Sequence, residues 1–151
     1  MQDLSLHVLD VVENSLRSNA KRVEIRLIED PERDLLELQI KDDGEGMDPE
    51  TLSRATDPFF TSKADKKVGL GLALLAQAAR EAGGKLDIAS SRGAGTTVRA
   101  VFRNSHPDRK PLGDMAATLQ TLVGGNPDVD FLYEHRKGTE MIRFDTREIR
   151  R

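Results

Sequence analysis

Two neighbouring segments with alternating apolar residues constrain the fold of this chain more than any other feature. Residues 21–30 read KRVEIRLIED and residues 34–42 read DLLELQIKD, and apolar residues recur at every second position in both. A period of two is typical of a β-strand with one buried face. Asp30-Pro31 marks a turn between the segments. We therefore predict an antiparallel hairpin whose apolar face must be covered by a second layer.

Helical periodicity and further strands flank this hairpin. Residues 4–16 carry an apolar helical stripe behind Asp3, a candidate N-cap. Residues 69–84 predict an Ala-rich helix closed by Gly83-Gly84. A short helix is expected near 49–55. Strands are predicted over 85–90 and 96–104, around the glycine turn SRGAG.

The tail beyond Pro107 has a different character. Its predicted pieces are a helix over 115–123, capped by Asp114 and ended by Gly124-Gly125, and strands over 129–135 and 139–145 that flank Arg136-Lys137-Gly138. We expect this tail either to extend the core or to present a docking face for another protein, and we favour an added structural unit that does both.

This order of elements predicts the fold class. We expect an α+β protein, a two-layer α/β sandwich with a mixed, mostly antiparallel sheet and helices on one face. The C-terminal helix and β-hairpin are added to it. The expected organisation is a main domain over residues 1–105 and an extension over 106–151 that packs on or beside it.

Composition excludes several classes of protein. The 151 residues are 37% hydrophobic and 32% charged, with a formal net charge of -3, which disfavours a nucleic-acid binder. With no cysteine, disulfides and thiolate metal sites are excluded. No apolar run approaches the ~20 residues of a membrane span, and no signal peptide is visible. We expect a cytoplasmic protein that does not bind membranes.

The segment KDDGEGM, residues 41–47, follows the second strand and needs a chemical explanation. An ionised Asp42 accepts a hydrogen bond from an amino group, and Gly44 and Gly46 let a flat ring approach the backbone. This combination suits adenine, whose exocyclic nitrogen is a donor where guanine has an acceptor. The alternatives are a β-turn or a fragment of a calcium loop, although the later ligands of a calcium loop are missing.

Three polar residues share one face of the first predicted helix. Asp10, Asn14 and Arg17 lie at i, i+4 and i+7. An amide oxygen beside a carboxylate suits magnesium, which takes few protein ligands, and Arg17 could hold a phosphate. The alternative is a solvated polar face of an amphipathic helix.

Two glycine-rich segments point to phosphate. VGLGLA, residues 68–73, opens the long helix, and glycines at a helix N-terminus leave amides able to attract phosphate. GAGTT, residues 93–97, lies between the last two core strands. Helix packing and a hairpin turn explain each segment equally well when taken alone.

Taken in order, these segments resemble the catalytic, ATP-binding domain of histidine kinases, within the superfamily that also contains gyrase. The resemblance covers residues 4–103. Five segments carry it: DVVENSLR, DDGEGM, DPFFTSK, VGLGLA and GAGTTV. It implies a Bergerat-type nucleotide fold that binds Mg-ATP.

The resemblance also implies a role for individual residues. Asn14 would ligate magnesium, Asp42 would read the adenine amino group, and Thr96 would support the base through water. Asp10, Asn14, Arg17 and Lys63 would serve catalysis, with Asp10 helping the magnesium site more readily than acting as a general base. The nucleotide-contacting set would be Asn14, Arg17, Asp42, Gly44, Gly46, Met47, Phe59, Lys63, Gly69, Leu70, Gly71, Leu72 and Thr96.

The sequence departs from the family pattern at two places. Lys67 occupies a slot that is usually glycine, which puts the dynamics of the loop before the long helix in doubt. Only three residues precede the first helix, where sensor kinases carry a dimerisation segment with the phosphorylated histidine. His7 is expected to have a packing or surface role and not to be the phosphoacceptor.

The resulting hypothesis is a bacterial signalling kinase domain that passes the γ-phosphoryl group to a histidine, or a serine, on a separate protein. That partner would be a component of a response-regulator pathway or of a sigma-factor system, and a homodimer is a further candidate assembly. The rival hypothesis is a non-catalytic, nucleotide-dependent switch of the anti-sigma type. An ATP-driven clamp of the repair branch is disfavoured by Asp10, Arg17 and the short chain.

Overall fold

The computed structural model describes residues 3–57 and 68–149. Within them the chain forms six strands and five helices. In chain order the elements are α1 (Leu4–Arg17), β1 (Arg22–Asp30), β2 (Leu35–Asp42), α2 (Pro49–Ser53), α3 (Val68–Glu81), β3 (Lys85–Ser90), β4 (Thr96–Arg103), α4 (Met115–Gly125), β5 (Asp130–Lys137), β6 (Glu140–Asp145) and α5 (Thr146–Ile149).

The six strands form one sheet in the order β3-β4-β2-β1-β5-β6. Four of the five pairings are antiparallel, including the predicted β1–β2 hairpin, and β5 alone runs parallel to its neighbour β1. The predicted mixed, mostly antiparallel sheet is thereby confirmed. Residues 106–151 contribute two of its strands, because β5 joins the free side of β1.

The pairing register places the alternating apolar residues on one face. Ile25 lies opposite Ile40 and Leu27 opposite Leu38, and all four are at most 1% exposed. Since side chains directly opposite each other point to the same side of a sheet, both strands bury the same face. The apolar core on that face combines sheet residues with residues of three helices: Val8 and Val12 of α1, Leu75 and Ala79 of α3, and Leu122 of α4.

The opposite face of the sheet carries paired charges. Arg26 lies between Glu24, at 2.7 Å, and Glu134 on β5, at 2.6 Å. Near the edge, Asp145 is almost fully buried between arginines. Burial alone would raise the pKa of Asp145, but hydrogen bonds from Arg147 and Arg22 hold it well below its usual range. The predicted α+β sandwich with its helices on one face is confirmed.

Helix ends follow the predicted capping residues closely. The Asp3 side chain accepts a hydrogen bond from the Leu6 amide, and Asp114 accepts one from Ala117. The first two amides of α1 donate to the carbonyl oxygens of Pro111 and Leu112, at 2.9 and 3.0 Å. The segment between β4 and α4 therefore completes the N-terminal cap of α1.

Two details of the extension differ from the sequence prediction. Arg136 and Lys137 belong to β5, so the hairpin loop is the two residues Gly138-Thr139 and not Arg136-Lys137-Gly138. Gly138 has a φ of 59°, which lets it open a two-residue turn. Helix α4 continues through Gly125, since the Asn126 side chain donates to the Leu122 carbonyl oxygen at 2.8 Å and caps the last turn.

No helix in the described ranges is long and apolar enough to span a membrane.

Candidate functional site

Asp42 ends β2 with its carboxylate fixed on both oxygens. The residue is 8% exposed. Its Oδ2 accepts a hydrogen bond from Ser15 Oγ on α1 at 2.6 Å, and its Oδ1 accepts one from the Gly44 amide at 2.9 Å. Each carboxylate oxygen can accept a second bond, so the group can still receive an amino donor in a set direction.

Ser15 is a site residue that the sequence analysis missed. It is 4% exposed and lies two turns after Val8 on the buried stripe of α1. A buried serine hydroxyl requires a hydrogen-bond partner. That signal was available in the sequence, but it did not identify Asp42 as the partner, because the two residues are 27 positions apart.

The glycines after β2 and before β4 are required by close packing of two loops. A Cβ on Gly46, whose φ is 76°, would lie 2.0 Å from the Ser91 carbonyl oxygen. A Cβ on Gly95, whose φ is 77°, would lie 2.1 Å from the Asp42 carbonyl oxygen. Gly44 is less tightly confined, because a Cβ there would lie 2.8 Å from the Ser18 carbonyl oxygen. These contacts hold the backbone around Asp42, and the role of Gly44 and Gly46 in lining a base pocket stays a prediction.

Thr96 lies directly opposite Asp42 in the β2–β4 register, so both side chains are on the helix-covered face. Its Oγ1 is 2.8 Å from Ser90 Oγ, which also accepts from the Met47 amide at 2.8 Å. Ser90 is a second residue that the sequence analysis missed. The structure thus brings Asp42, Met47 and Thr96 to one end of the sheet, as their proposed shared function requires.

The polar face of α1 meets the first turn of α3. A Cβ placed on Gly71 would lie 3.4 Å from the Asp10 Cβ and 3.8 Å from Asn14 Nδ2. Arg17 Nη1 donates to Asn14 Oδ1 at 3.0 Å, and Arg17 Nη2 lies 3.7 Å from Glu13. Asp10, Asn14 and Arg17 therefore stand beside the glycine-rich start of α3.

These residues fit a magnesium ion held mainly by other ligands. Asp10 and Asn14 offer a carboxylate and an amide oxygen, the hard donors that magnesium prefers. Across residues 3–57 and 68–149, no group of three or more acidic or histidine side chains could hold a metal by itself. An ion here would depend on phosphate oxygens and water for its remaining ligands. Asn14 Oδ1, the oxygen that would face such an ion, already accepts a hydrogen bond from Arg17.

The remaining predicted residues fall into two groups. Gly69, Leu70, Gly71 and Leu72 form the first turn of α3, and Leu72 is 5% exposed within the core. Phe59 and Lys63, together with Phe60 and Lys67, lie outside the described residues.

His7 is buried in the N-terminal half of α1. It is 3% exposed, and its Nδ1 has no hydrogen-bond partner among the described residues. Burial lowers the pKa of His7, with Asp10 acting in the opposite direction and Lys110 in the same one. The structure agrees with a packing role and not with a surface one.

Comparison with known proteins identifies sequence relatives of the segment that carries the site. The family model described as "Histidine kinase-, DNA gyrase B-, and HSP90-like ATPase" matches residues 2–106. The sensor protein kinase PilS of Pseudomonas aeruginosa is 33% identical over 103 residues, which are 65% of this chain and 19% of that protein. The chain spans less than a fifth of the length of the first three curated relatives it matches.

Two solved structures show how far the likeness extends in space. A mycobacterial sensor histidine kinase, MprB, superposes with a TM-score of 0.50 at 28% identity, covering 64% of this chain and 68% of that one. The N-terminal domain of a DNA repair protein superposes with a TM-score of 0.68 over 96% of this chain and 52% of that one. At 16% identity, the second likeness concerns the fold alone, and its coverage is large enough to reach into residues 106–151.

Proposed function

Because this chain belongs to the histidine kinase-, DNA gyrase B- and HSP90-like ATPase family, we propose that it binds Mg-ATP and passes the γ-phosphoryl group to a separate protein. The acceptor residue would be a histidine, with serine as the second choice. The observation that carries the proposal is the buried Asp42 carboxylate, which accepts hydrogen bonds from Ser15 of α1 and from the Gly44 amide.

Asp42 would select the base. The carboxylate accepts hydrogen bonds, so it would favour the exocyclic amino group of adenine and repel the carbonyl oxygen that guanine has at the same position. Its two existing hydrogen bonds prevent rotation, which makes the discrimination directional. Thr96, opposite Asp42 in the register, would support the base through its hydroxyl group.

Residues of α1 and α3 would hold the phosphates. The amides of the first turn of α3 combine with the helix dipole to favour anions. Asn14 and Asp10 would provide oxygen ligands for the magnesium ion. Arg17 would leave Asn14 Oδ1 and turn to a phosphate, so that one side chain would exchange one partner for another as the nucleotide binds.

Catalysis would rest on position and charge. Phosphoryl transfer needs aligned reactants and neutralised phosphate charge more than covalent participation by the protein. Bound magnesium would neutralise charge on the β- and γ-phosphates. Arg17 and the α3 amides would neutralise further phosphate charge. They would also orient the γ-phosphate toward an incoming acceptor. A role for Lys63 stays a prediction.

The acceptor and its pathway are the least constrained part of the proposal. Support comes from relatives such as the sensor protein kinase PilS, and from the family model, which matches residues 2–106. We propose a partner from a response-regulator or sigma-factor system. The chain would work in bacterial signalling in the cytoplasm.

A direct test follows the phosphate. The chain would be incubated with lysate and ATP labelled at the γ-position, and the label then traced. Label on a partner protein is the expected result. Free phosphate as the product would indicate an ATPase, and binding without either would indicate a nucleotide-dependent switch. Both of those outcomes contradict the kinase proposal.

The metal assignment has its own test. In Asn14→Ala, ATP affinity measured by calorimetry should no longer increase when magnesium is added, because the amide ligand is gone. Glu13→Ala is the matched control, since Glu13 is on the same helix and near Arg17 but is not proposed as a ligand. A variant N14A that still responded to magnesium as the unaltered chain does would refute the assignment.

A further inference from the structure

Strand β6 is the outermost strand of the sheet on the side of the extension. Among the described residues, no other strand pairs with its outer edge. Three large hydrophobic side chains are exposed in the described ranges, and two of them are the neighbours Met141 and Ile142 of this strand, at 48% and 69%. An exposed edge with apolar side chains is a template for pairing with a further strand.

The turn geometry decides which backbone groups of β6 face outward. In a hairpin with the two-residue loop Gly138-Thr139, the closing pair Lys137–Glu140 exchanges hydrogen bonds, and bonded and non-bonded pairs then alternate. Ile142, opposite His135, is therefore bonded to β5. The backbone groups of Met141 and Arg143 point to the outer edge.

We propose that two copies of this chain pair through β6, antiparallel, about a two-fold axis that passes between their Ile142 residues. In this register Ile142 faces Ile142 of the second copy, and Met141 faces Arg143. The outward backbone groups of Met141 and Arg143 then bond to each other across the axis. Two six-stranded sheets become one continuous sheet, and the most exposed apolar side chain is buried against its own copy.

Charge selects this register over the one centred on Arg143. Centring the axis on Arg143 would place Arg143 directly opposite itself, and like charges directly opposite each other are destabilising. Centring it on Ile142 places Glu140 opposite Phe144 and puts no like charges face to face. Each Arg143 keeps its ion pairs with Glu134, Asp145 and Glu148 on its own copy.

The self-complementary strand is the reason for choosing a second copy as the occupant. A partner of uniform charge would gain little, since β6 carries both signs: Glu140, Arg143 and Asp145. One pair of short strands buries less than the ~800 Å² per partner of a standard interface. The dimer should therefore be weak and depend on protein concentration.

Cysteine trapping tests the register, because the chain has no native cysteine. Ile142 would form a non-hydrogen-bonded pair across the axis, with Cα atoms about 4.5 Å apart, within the range of a disulfide. Glu140 lies on the same face, but the Glu140 residues of the two copies would be offset along the strands by four residues, about 13 Å. We expect mild oxidation to link I142C into a dimer and to leave E140C monomeric. Equal linking of both, or of neither, would overturn the register.

Analytical ultracentrifugation over a range of concentrations tests the dimer itself. The unaltered chain should approach twice the molar mass of one copy at high concentration, and Ile142→Lys should remain at one. The matched control is Leu6→Lys, which alters the third exposed apolar side chain, 44% exposed on α1, and should still dimerise. A monomeric native chain at all concentrations, or equal loss of the dimer in both variants, would refute the proposal.

This inference stands apart from the nucleotide site. I142K should bind ATP as the unaltered chain does. A native chain that dimerises but does not bind ATP would therefore contradict the proposed function and leave the dimer proposal intact. A native chain that binds ATP but stays monomeric would contradict the dimer proposal and leave the proposed function intact.

Discussion

Two buried polar residues of helix α1, one in each half of the helix, differ in their hydrogen bonding. In the C-terminal half, Ser15 is buried and donates to Asp42, whose other oxygen is also bonded. In the N-terminal half, two turns away, His7 is equally buried and its Nδ1 has no partner among the described residues. Both lie on the inner side of the same helix, so burial by itself does not distinguish a site residue from a packing residue. The hydrogen-bond partner of the buried side chain makes that distinction.

Disrupting the loop packing around Asp42 should have the largest effect on the stability of the fold. Gly95→Ala places a methyl group 2.1 Å from the Asp42 carbonyl oxygen at a positive φ, so the backbone must move. We expect a loss of more than about 3 kcal/mol in the free energy of unfolding, measured with urea. Gly93→Ala is the matched control, because Gly93 has a similar φ of 81° and open space around it. Gly93→Ala should lower the free energy of unfolding by about 1–2 kcal/mol. Equal losses in the two variants would show that the contact between Gly95 and Asp42 does not limit stability.

Replacing the Asp42 carboxylate should have the largest effect on ATP binding. Asp42→Asn keeps the shape but presents an amide that can no longer accept in both directions, so ATP affinity should fall roughly 100-fold, as expected for a charged hydrogen bond of about 2–3 kcal/mol. Calorimetry measures the change. Asp43→Asn is the control, since Asp43 is exposed and accepts from the Lys21 and Arg22 amides instead. Unchanged affinity in D42N would remove Asp42 from the base pocket.

Removing the hydrogen bond from Ser15 to Asp42 should also lower ATP affinity, but less than replacing Asp42. Ser15→Ala removes one donor from Asp42 and leaves the carboxylate in place. Affinity for ATP should fall about tenfold, corresponding to about 1–1.5 kcal/mol for one hydrogen bond, and discrimination against GTP should fall with it. A purely structural role would lower the stability and leave the ratio of ATP to GTP affinity unchanged.

Replacing the buried His7 should give the smallest effect, and the effect should appear in stability and not in ATP binding. Its folded pKa lies below the unfolded value of 6.5, so the unfolded chain takes up the proton first. The stability contribution is complete above pH 6.5 and is lost as the pH falls below it. His7→Leu should therefore flatten the decrease in unfolding free energy between pH 7 and pH 5.

His106→Gln is the control for this measurement. His106 is partly buried, and its Nδ1 accepts a hydrogen bond from the Asp108 amide. This variant should keep the decrease that His7 causes. A pH dependence unchanged in H7L, or abolished equally in H106Q, would show that another group is responsible.

Local patterns were sufficient for most of the secondary structure. The β1–β2 hairpin, the caps at Asp3 and Asp114, and the position of α3 were predicted from alternation and capping residues, and the structure confirms them. The hairpin loop of the extension was placed two residues too early. Arg136 and Lys137 have no turn preference of their own, and the pairing with β1 extends β5 through both of them.

The sequence by itself determined the chemistry of the candidate site: a carboxylate after a strand, an amide and an arginine on one helix face, and glycines at a helix start. Its order of motifs also determined the family. Only the tertiary structure decided that Ser15 holds Asp42, that Ser90 joins Thr96, and that β5 runs parallel to β1. The physical reason is distance along the chain, because helical and strand periods describe which face a residue takes within its own element. Which residue meets it from another element depends on how the layers pack.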